Sequence, residues 1–205
     1  MINYSIMSEH VVNGNDAGVV NEVNAALREN AAPIDIINNG LVAGMDEVSK
    51  LFSEGEMFVP EVLMAAEAMN AGMDIVKPML TGDDFTPRGT VVIGTVKGDL
   101  HDIGKNLVVM MMESAGYKVI NLGVDVSKED FVKAAKEHNA DIVGMSAMLT
   151  TTMEYMEDIV KACKEAGIDA VYMVGGAPVT ASFGEQINAV YTPDAAAAVD
   201  YIKSL

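Results

Sequence analysis

The chain has 205 residues and a mass of 21.7 kDa, enough for one large domain or two small ones. Thirty acidic residues against 13 basic ones give a formal net charge of −17. A chain this acidic is repelled by nucleic-acid phosphates and anionic lipids, so neither nucleic acid nor a membrane is an expected partner. Because Cys163 is the one cysteine and the first ten residues show no secretory signal, a cytoplasmic protein without disulfides is predicted.

The composition changes near residue 85. Residues 1–85 carry 14 acidic and 3 basic residues, whereas residues 86–205 carry 16 acidic and 10 basic residues. Gly, Pro and Asp concentrate between them, as is typical of a linker. We therefore predict a helical domain over residues 1–80, a linker over residues 81–89 and a second domain over residues 90–205.

Apolar residues in the first part recur every three or four positions, which indicates helices. Asp16 is predicted to cap a helix that runs to Asn30, and a second apolar stripe runs from Ile34 to Leu51. Pro60 suits the first turn of the next helix. With a shorter helix before residue 13, this part is predicted to form an antiparallel four-helix bundle.

The second part alternates short apolar runs with amphipathic stretches. The runs with strand character are Thr90–Val96, Lys118–Leu122, Ala140–Ser146, Ala170–Val174 and Ala189–Thr192. The stretches with helical patterns are Ile103–Ala115, Lys128–Asn139, Thr152–Ala166 and Thr180–Ile187, and Pro193 is predicted to open a last helix. This alternation predicts a Rossmann-like (flavodoxin-like) α/β domain with a five-stranded parallel sheet covered on both faces. Ligands of such sheets bind beyond the carboxyl ends of the strands.

The loop after the first predicted strand carries a histidine between carboxylates and glycines. It reads Gly98-Asp99-Leu100-His101-Asp102-Ile103-Gly104. Asp99 could accept a proton from one imidazole nitrogen and leave the other nitrogen free to bind a metal. The alternative is a helix start that Asp102 caps, with His101 merely solvated.

Two further loops at the same edge of the sheet contain small and hydroxyl-bearing residues. Ser146 to Thr152 follows the third strand, and Gly175-Gly176-Ala177 follows the fourth strand. Alone, a hydroxyl cluster is typical of helix capping and a Gly-Gly pair is typical of a turn. Their common position at one sheet edge favours a shared binding role.

Together these residues carry a family resemblance. They resemble the cobalamin-binding pattern of the methionine synthase and methylmalonyl-CoA mutase class. The match consists of Asp99-x-His101-x-x-Gly104, then 41 residues before Ser146, and then 26 residues between Met148 and Gly175. Met148 stands where that pattern has leucine, a side chain of similar volume. The segment from Gly44 to Glu61 resembles the helical cap of methionine synthase. The chain is most similar to the corrinoid proteins of methylamine, methanol, betaine and aryl methyl ether methyltransferase systems.

The resemblance implies a cobalamin cofactor that cycles between methylcobalamin and cobalt(I) states. It makes His101 the lower axial ligand of cobalt and the first member of a hydrogen-bond relay through Asp99 to Thr152. The expected cofactor contacts in the His101 loop are Gly98, Asp99, Leu100, His101, Asp102, Ile103 and Gly104. The expected contacts elsewhere in the sheet domain are Ser146, Met148, Thr150, Gly175, Gly176, Ala177 and Ala195, several of which would line a slot for the cofactor's nucleotide tail. In the helical domain, Phe58 and Val62 are expected to shield the upper face.

By resemblance, the chain is a methyl carrier and not a complete enzyme. Its expected partners are a substrate-specific methyltransferase, a second corrinoid-dependent methyltransferase that passes the methyl group to coenzyme M or tetrahydrofolate, and a reductive activase. The linker is expected to act as a hinge. The alternatives are the cobalamin-binding subunit of an adenosylcobalamin-dependent mutase, a cobalamin-dependent light sensor or repressor, and a domain similar to a response regulator.

Overall fold

A computed structural model describes residues 2–80 and 87–205, and they divide into two compact units. The helical unit contains residues 2–80 and groups with Ser114–Gly116, and the α/β unit contains Pro87–Glu113 and Tyr117–Leu205. Most of the predicted linker, residues 81–86, lies outside the described residues. The domain boundaries and the hinge therefore stay predictions.

Residues 2–80 form four helical segments, as expected for the bundle. The first two are α1 Tyr4–Val12 and α2 Asp16–Arg28. The third consists of α3 Pro33–Ile36, a π-helical stretch Ile37–Val42 and α4 Ala43–Ser53. The fourth is α5 Val59–Val76, which is followed by a 3₁₀ turn at Lys77–Met79. Apolar residues at helical spacing are buried along each of the long helices. The all-helical class of this region is confirmed.

Two local predictions in this unit need correction. The side chain of Asn15, and not Asp16, caps α2, because its Oδ1 accepts the Gly18 N–H at 2.9 Å. The stripe from Ile34 to Leu51 is interrupted by the π-helical stretch around Gly40. There the Ser8 hydroxyl of α1 donates to the Gly40 carbonyl at 2.9 Å, so a contact between helices replaces part of the regular pattern.

The α/β unit alternates strands and helices in the predicted order. The strands are β1 Thr90–Thr95, β2 Lys118–Asn121, β3 Ile142–Ser146, β4 Val171–Gly175 and β5 Val190–Tyr191. The helices are α6 Ile103–Ser114, α7 Lys128–Glu137, α8 Thr150–Met153, α9 Tyr155–Glu165, α10 Ala181–Ile187 and α11 Ala195–Lys203. The last helix begins after Asp194, whose carboxylate caps it, so the prediction that Pro193 opens this helix is wrong.

The five strands form one parallel sheet in the order β2-β1-β3-β4-β5, which confirms the predicted fold class. On one face, Val92 and Val143 pack with Phe131 of α7 and Ile159 of α9. Neighbouring residues such as Val91 are buried too and point to the opposite face, because side chains alternate along a strand. The chain reverses its direction across the sheet between β1 and β3, and ligands of such sheets bind at the carboxyl ends of the two strands at this point.

No helix in the described ranges is both long enough and apolar enough to cross a membrane. The location of the protein in the cell stays a prediction.

Candidate functional site

The candidate site lies where the carboxyl ends of β1 and β3 meet. The loop from Gly98 to Gly104 follows β1, and the loop that begins at Ala147 follows β3. The two loops are joined through one carboxylate, that of Asp99, which is completely buried.

Every polar group of Asp99 has a partner. Its Oδ1 accepts the ring Nδ1–H of His101 at 2.8 Å and the His101 backbone N–H at 3.1 Å. Its Oδ2 accepts the Met148 N–H and the Thr152 hydroxyl, both at 2.7 Å. A buried carboxylate needs this number of donors, because desolvation penalises the charge otherwise.

These bonds determine the ionisation of Asp99. Burial alone would raise the pKa of the carboxyl group. The hydrogen bonds from the Met148 N–H, the His101 ring, the Thr152 hydroxyl and the His101 N–H outweigh burial and hold the pKa of Asp99 well below its ordinary value. Asp99 is therefore ionised at neutral pH, as an orienting partner of an imidazole should be.

His101 is held firmly at one nitrogen and is open at the other. Its side chain is 57% exposed, and its carbonyl accepts the Thr95 hydroxyl at 2.9 Å. With Nδ1 engaged by Asp99, the ring presents Nε2, the nitrogen that a metal would bind. Among the described residues there is no cluster of three or more potential metal-ligating side chains. A metal at His101 would thus have to arrive with most of its ligands already in place.

Thr152 is the third residue of the predicted relay, and the structure places it beside Asp99. Its buried hydroxyl lies 2.7 Å from Asp99 Oδ2 and 3.0 Å from the Leu149 carbonyl. The hydroxyl has one proton, and the ionised carboxylate of Asp99 is the stronger of the two acceptors. The hydrogen-bonded series His101–Asp99–Thr152 is present in the structure, and its role in chemistry stays a prediction.

Exposed apolar side chains follow the carboxyl ends of β1, β2 and β3. We call them the apolar rim: Leu100, Ile103, Val124, Met148 and Leu149. Leu100 is 72% exposed and Ile103 is 85% exposed, which is unusual for side chains of this size next to a packed sheet. Exposed apolar side chains at the same sheet edge as the His101 ring suit a large, flat ligand with a metal at its centre.

The glycines at the same edge of the sheet differ in their surroundings. A Cβ on Gly104 would meet nothing within 4 Å, so the space above this residue is open. At Gly176 the backbone has φ +121° and a Cβ would overlap the Ala147 carbonyl oxygen, so only glycine fits. Gly175 pairs with Ser146 in the register of β3 and β4, which brings two of the predicted slot residues side by side.

The other predicted contacts occupy different environments. Asp102 precedes α6, and its carboxylate accepts the Asn106 side-chain amide at 2.9 Å. Thr150 and Ala177 are exposed at the sheet edge, whereas Ala195 is buried in the first turn of α11.

The two residues predicted in the helical unit differ from each other. Phe58 is 66% exposed, whereas Val62 is fully buried. Phe58 precedes α5 with extended backbone, and its N–H donates to Glu61 Oε2 at 2.8 Å, so it stands outside the helical stripe. Val62 lies on the packed stripe with Ala65 and Ala66. The structure does not support a ligand contact by Val62, because its side chain presents no free surface.

Sequence reasoning missed two polar residues around the His101 loop. Asp125 accepts the Gly98 N–H at 2.7 Å, and Lys105 donates from Nζ to the side-chain oxygens of Asn106 and Asn121, each at 2.7 Å. Burial lowers the pKa of Lys105, although the nearby Asp102 carboxylate opposes this change. A charged residue between two valines, four positions after the end of β2, was the available signal for Asp125.

Comparisons with known proteins agree with this geometry. A family model described as a B12 binding domain matches residues 89–200, and a second family model, also described as a B12 binding domain, matches residues 6–77. A dimethylamine corrinoid protein of Methanosarcina acetivorans is 42% identical over 203 residues, which cover 97% of this chain and 94% of that protein. A trimethylamine corrinoid protein of Methanosarcina mazei is 44% identical over 184 residues, 87% of this chain and 85% of that protein.

Solved structures give the same picture. A chain of the methanol:cobalamin methyltransferase complex MtaBC from Methanosarcina barkeri superposes with a TM-score of 0.89 at 33% identity, over 98% of this chain and 78% of that one. A cobalamin-binding protein from Desulfitobacterium hafniense superposes with a TM-score of 0.83 at 31% identity, over 100% of this chain and 98% of that one.

Proposed function

The chain belongs to the B12-binding protein family, and we propose that within this family it is a corrinoid protein that carries a methyl group between two methyltransferases. The observation that carries the proposal is the exposed His101 ring, bonded through Nδ1 to the buried, ionised Asp99. This pair offers one oriented nitrogen at the open edge of the sheet. No second catalytic group accompanies it in the motif.

The residues at this edge fit a corrinoid. His101 would supply Nε2 as the lower axial ligand, and the apolar rim would lie against the face of the macrocycle. Ser146, Gly175 and Gly176 are proposed to lie beside the nucleotide tail, since all three stand at the carboxyl ends of β3 and β4. When bound, the cobalt of the cofactor supplies the centre that accepts and releases the methyl group.

The contribution of the chain's own residues is orientation. Asp99 keeps the proton of the His101 ring on Nδ1, so that Nε2 points outward with its lone pair free. Thr152 donates to the other oxygen of the same carboxylate and holds it in this position. We propose that the three residues form one hydrogen-bonded relay, which keeps the proton on Nδ1 beside Asp99 Oδ1 and so fixes the orientation of the His101 ring.

The relatives support a carrier in a methyltransferase system. The dimethylamine and trimethylamine corrinoid proteins match most of this chain, and the methanol:cobalamin methyltransferase complex contains a chain of the same fold. We propose that one methyltransferase, specific for a methylated substrate, delivers the methyl group. A second would pass it to coenzyme M or tetrahydrofolate, and a reductive activase would restore the carrier after oxidation. Phe58 is proposed as a further cofactor contact on account of its exposed ring.

Reconstitution tests the proposal. The protein is mixed with hydroxocobalamin, freed of unbound cofactor and studied by visible spectroscopy before and after strong reduction. We expect one corrinoid per chain, a histidine-bound spectrum with the nucleotide base released, and methylation of the reduced form by methyl iodide. In His101→Ala the histidine-bound spectrum should be lost, whereas the control His138→Ala should keep it.

Two results would contradict the proposal. A wild-type protein that retains no corrinoid would overturn the carrier function, and unchanged coordination in His101→Ala would overturn the assignment of the axial ligand. The donor is then assigned by mixing the reduced holoprotein with a dimethylamine-specific or a methanol-specific methyltransferase and its substrate. Only the cognate enzyme should yield the methylated protein.

A further inference from the structure

The carboxyl end of β2 holds the start of the His101 loop. Gly98 donates its N–H to Asp125 Oδ1 at 2.7 Å, and the Asp125 N–H donates to the Asp99 carbonyl at 3.0 Å. The peptide group before Gly98 and the peptide group after Asp99 are thus both bonded to Asp125. These two bonds limit where the Asp99 side chain, and with it the His101 ring, can lie.

Asp125 makes both bonds from an uncommon backbone conformation. Its φ is +54°, in the left-handed region that costs most L-residues about 1 kcal/mol or more. Aspartate tolerates this region better than most residues do, and such conformations persist where surrounding contacts hold them. The segment around it is anchored to β1, since the Val126 N–H donates to the Thr95 carbonyl and the Thr95 N–H donates to the Gly123 carbonyl, both at 3.0 Å.

The end of the His101 loop is tied to the same strand. Lys105 lies in the first turn of α6, and its buried ammonium group reaches Asn121, the last residue of β2, at 2.7 Å. Asn121 Oδ1 also accepts the Gly123 N–H at 3.1 Å. Residues 98 and 105 are therefore both joined to the segment Asn121–Asp125, which we call the β2 clamp.

We propose that the β2 clamp positions the axial ligand, with Asp125 and Lys105 as positioning residues that act through the His101 loop. This inference rests on the proposed function, since it concerns how His101 is presented to the cofactor. Neither residue needs to touch the cofactor. Loss of either bond should let the His101 ring sample other orientations, which weakens coordination without removing the ligand.

The first test is Asp125→Gly, with Asn139→Gly as the matched control. Glycine keeps the positive φ at residue 125 and removes the carboxylate. Asn139 also has a positive φ, +49°, at the end of α7, so its change to glycine reproduces the gain in chain flexibility away from the site.

Three measurements separate positioning from general stability. In the apoprotein, hydrogen exchange of the Gly98 amide should be slow in the wild type and fast in Asp125→Gly. In the holoprotein, the dissociation constant of hydroxocobalamin should rise about tenfold, the lower end of the effect seen when a residue that supports a metal ligand is lost. The nitrogen splitting from histidine in the electron paramagnetic resonance spectrum of the partly reduced holoprotein should weaken. Asn139→Gly should match the wild type in all three.

The inference is overturned if Asp125→Gly binds and coordinates the cofactor as Asn139→Gly does. Should Asp125→Gly not fold, Lys105→Met decides, since the Asn121 and Asn106 side-chain oxygens keep other hydrogen-bond donors after the change. An unchanged dissociation constant and spectrum in Lys105→Met would then reject the clamp. A wild-type protein without histidine coordination would instead reject the proposed function.

Discussion

The His101 loop and the amino-terminal turn of α5 both expose side chains that we propose to contact the cofactor, but they are held in different ways. The first is built on directional bonds, because four donors converge on the buried Asp99 carboxylate. The second is built on apolar packing, with Phe58 exposed and Val62 buried one helical turn away. The hydrogen bonds of the His101 loop determine the orientation of the His101 ring. The packing of α5 determines only which of the nearby side chains remain exposed.

The largest expected effect separates the two regions by stability. Asp99→Ala would remove the acceptor of the part-buried His101 and Met148 backbone N–H groups, at about 1–3 kcal/mol for each group in the free energy of unfolding. Urea unfolding of the apoprotein, followed by circular dichroism, measures this loss. The exposed Asp200→Ala should change the free energy by less than about 0.5 kcal/mol. Equal losses would show that the Asp99 bonds do not stabilise the loop.

The second prediction distinguishes a residue that stabilises the helical unit from a residue that binds the cofactor. Val62→Ala removes buried methyl groups and should cost about 2 kcal/mol in the free energy of unfolding, with no change in the dissociation constant of hydroxocobalamin. Phe58→Ala should cost less than about 0.5 kcal/mol of stability. Because the Phe58 ring is proposed to cover the cofactor, Phe58→Ala should raise the dissociation constant of hydroxocobalamin about tenfold, which corresponds to about 1.4 kcal/mol.

The reverse result would contradict this assignment. A loss of binding in Val62→Ala at unchanged stability would restore Val62 as a cofactor contact. Unchanged binding in Phe58→Ala would remove Phe58 from the site.

The smallest expected effect concerns the free energy of unfolding at low pH. The pKa of Asp99 is lower in the folded protein than in the unfolded chain, so the unfolded chain binds more protons between the two values. The stabilising contribution of the ionised carboxylate is complete above about pH 4 and is lost as the pH falls through the folded pKa. The free energy of unfolding should therefore fall less steeply below about pH 4 in Asp99→Asn than in the wild type or Asp200→Asn. Parallel curves for all three proteins would contradict the assignment.

The sequence predicted best those features that depend on neighbouring residues. Strand and helix order followed from apolar spacing, and the contact between Asp99 and His101 followed from their separation by one residue. The cap of α2 was misplaced by one position, because Asn15 and Asp16 are both good capping residues. Phe58 and Val62 are four residues apart, and both were expected to shield the upper face of the cofactor. The helix begins at Val59, however, so Phe58 lies outside the helical stripe.

Features that depend on distant residues were not readable from local patterns. Thr152 lies 53 residues from Asp99, and only the family resemblance brought the two together. Asp125 and Lys105 escaped notice, because their bonds to Gly98 and Asn121 depend on how β2 ends beside β1. The conformation of the His101 loop depends on hydrogen bonds to residues at the end of β2, and a periodic pattern in the sequence does not predict such bonds.

The bonds of Asp99 to Met148 and Thr152, made across 49 and 53 residues, also bear on the order of folding. They can form only after β1 and β3 have paired, and contacts of such sequence separation generally come after local helices have formed. We expect the site to be unstructured in the folding transition state. Substitutions at Asp99 should then accelerate unfolding and leave the folding rate nearly unchanged. Occupation of the site would lengthen the lifetime of the native protein without hastening its formation.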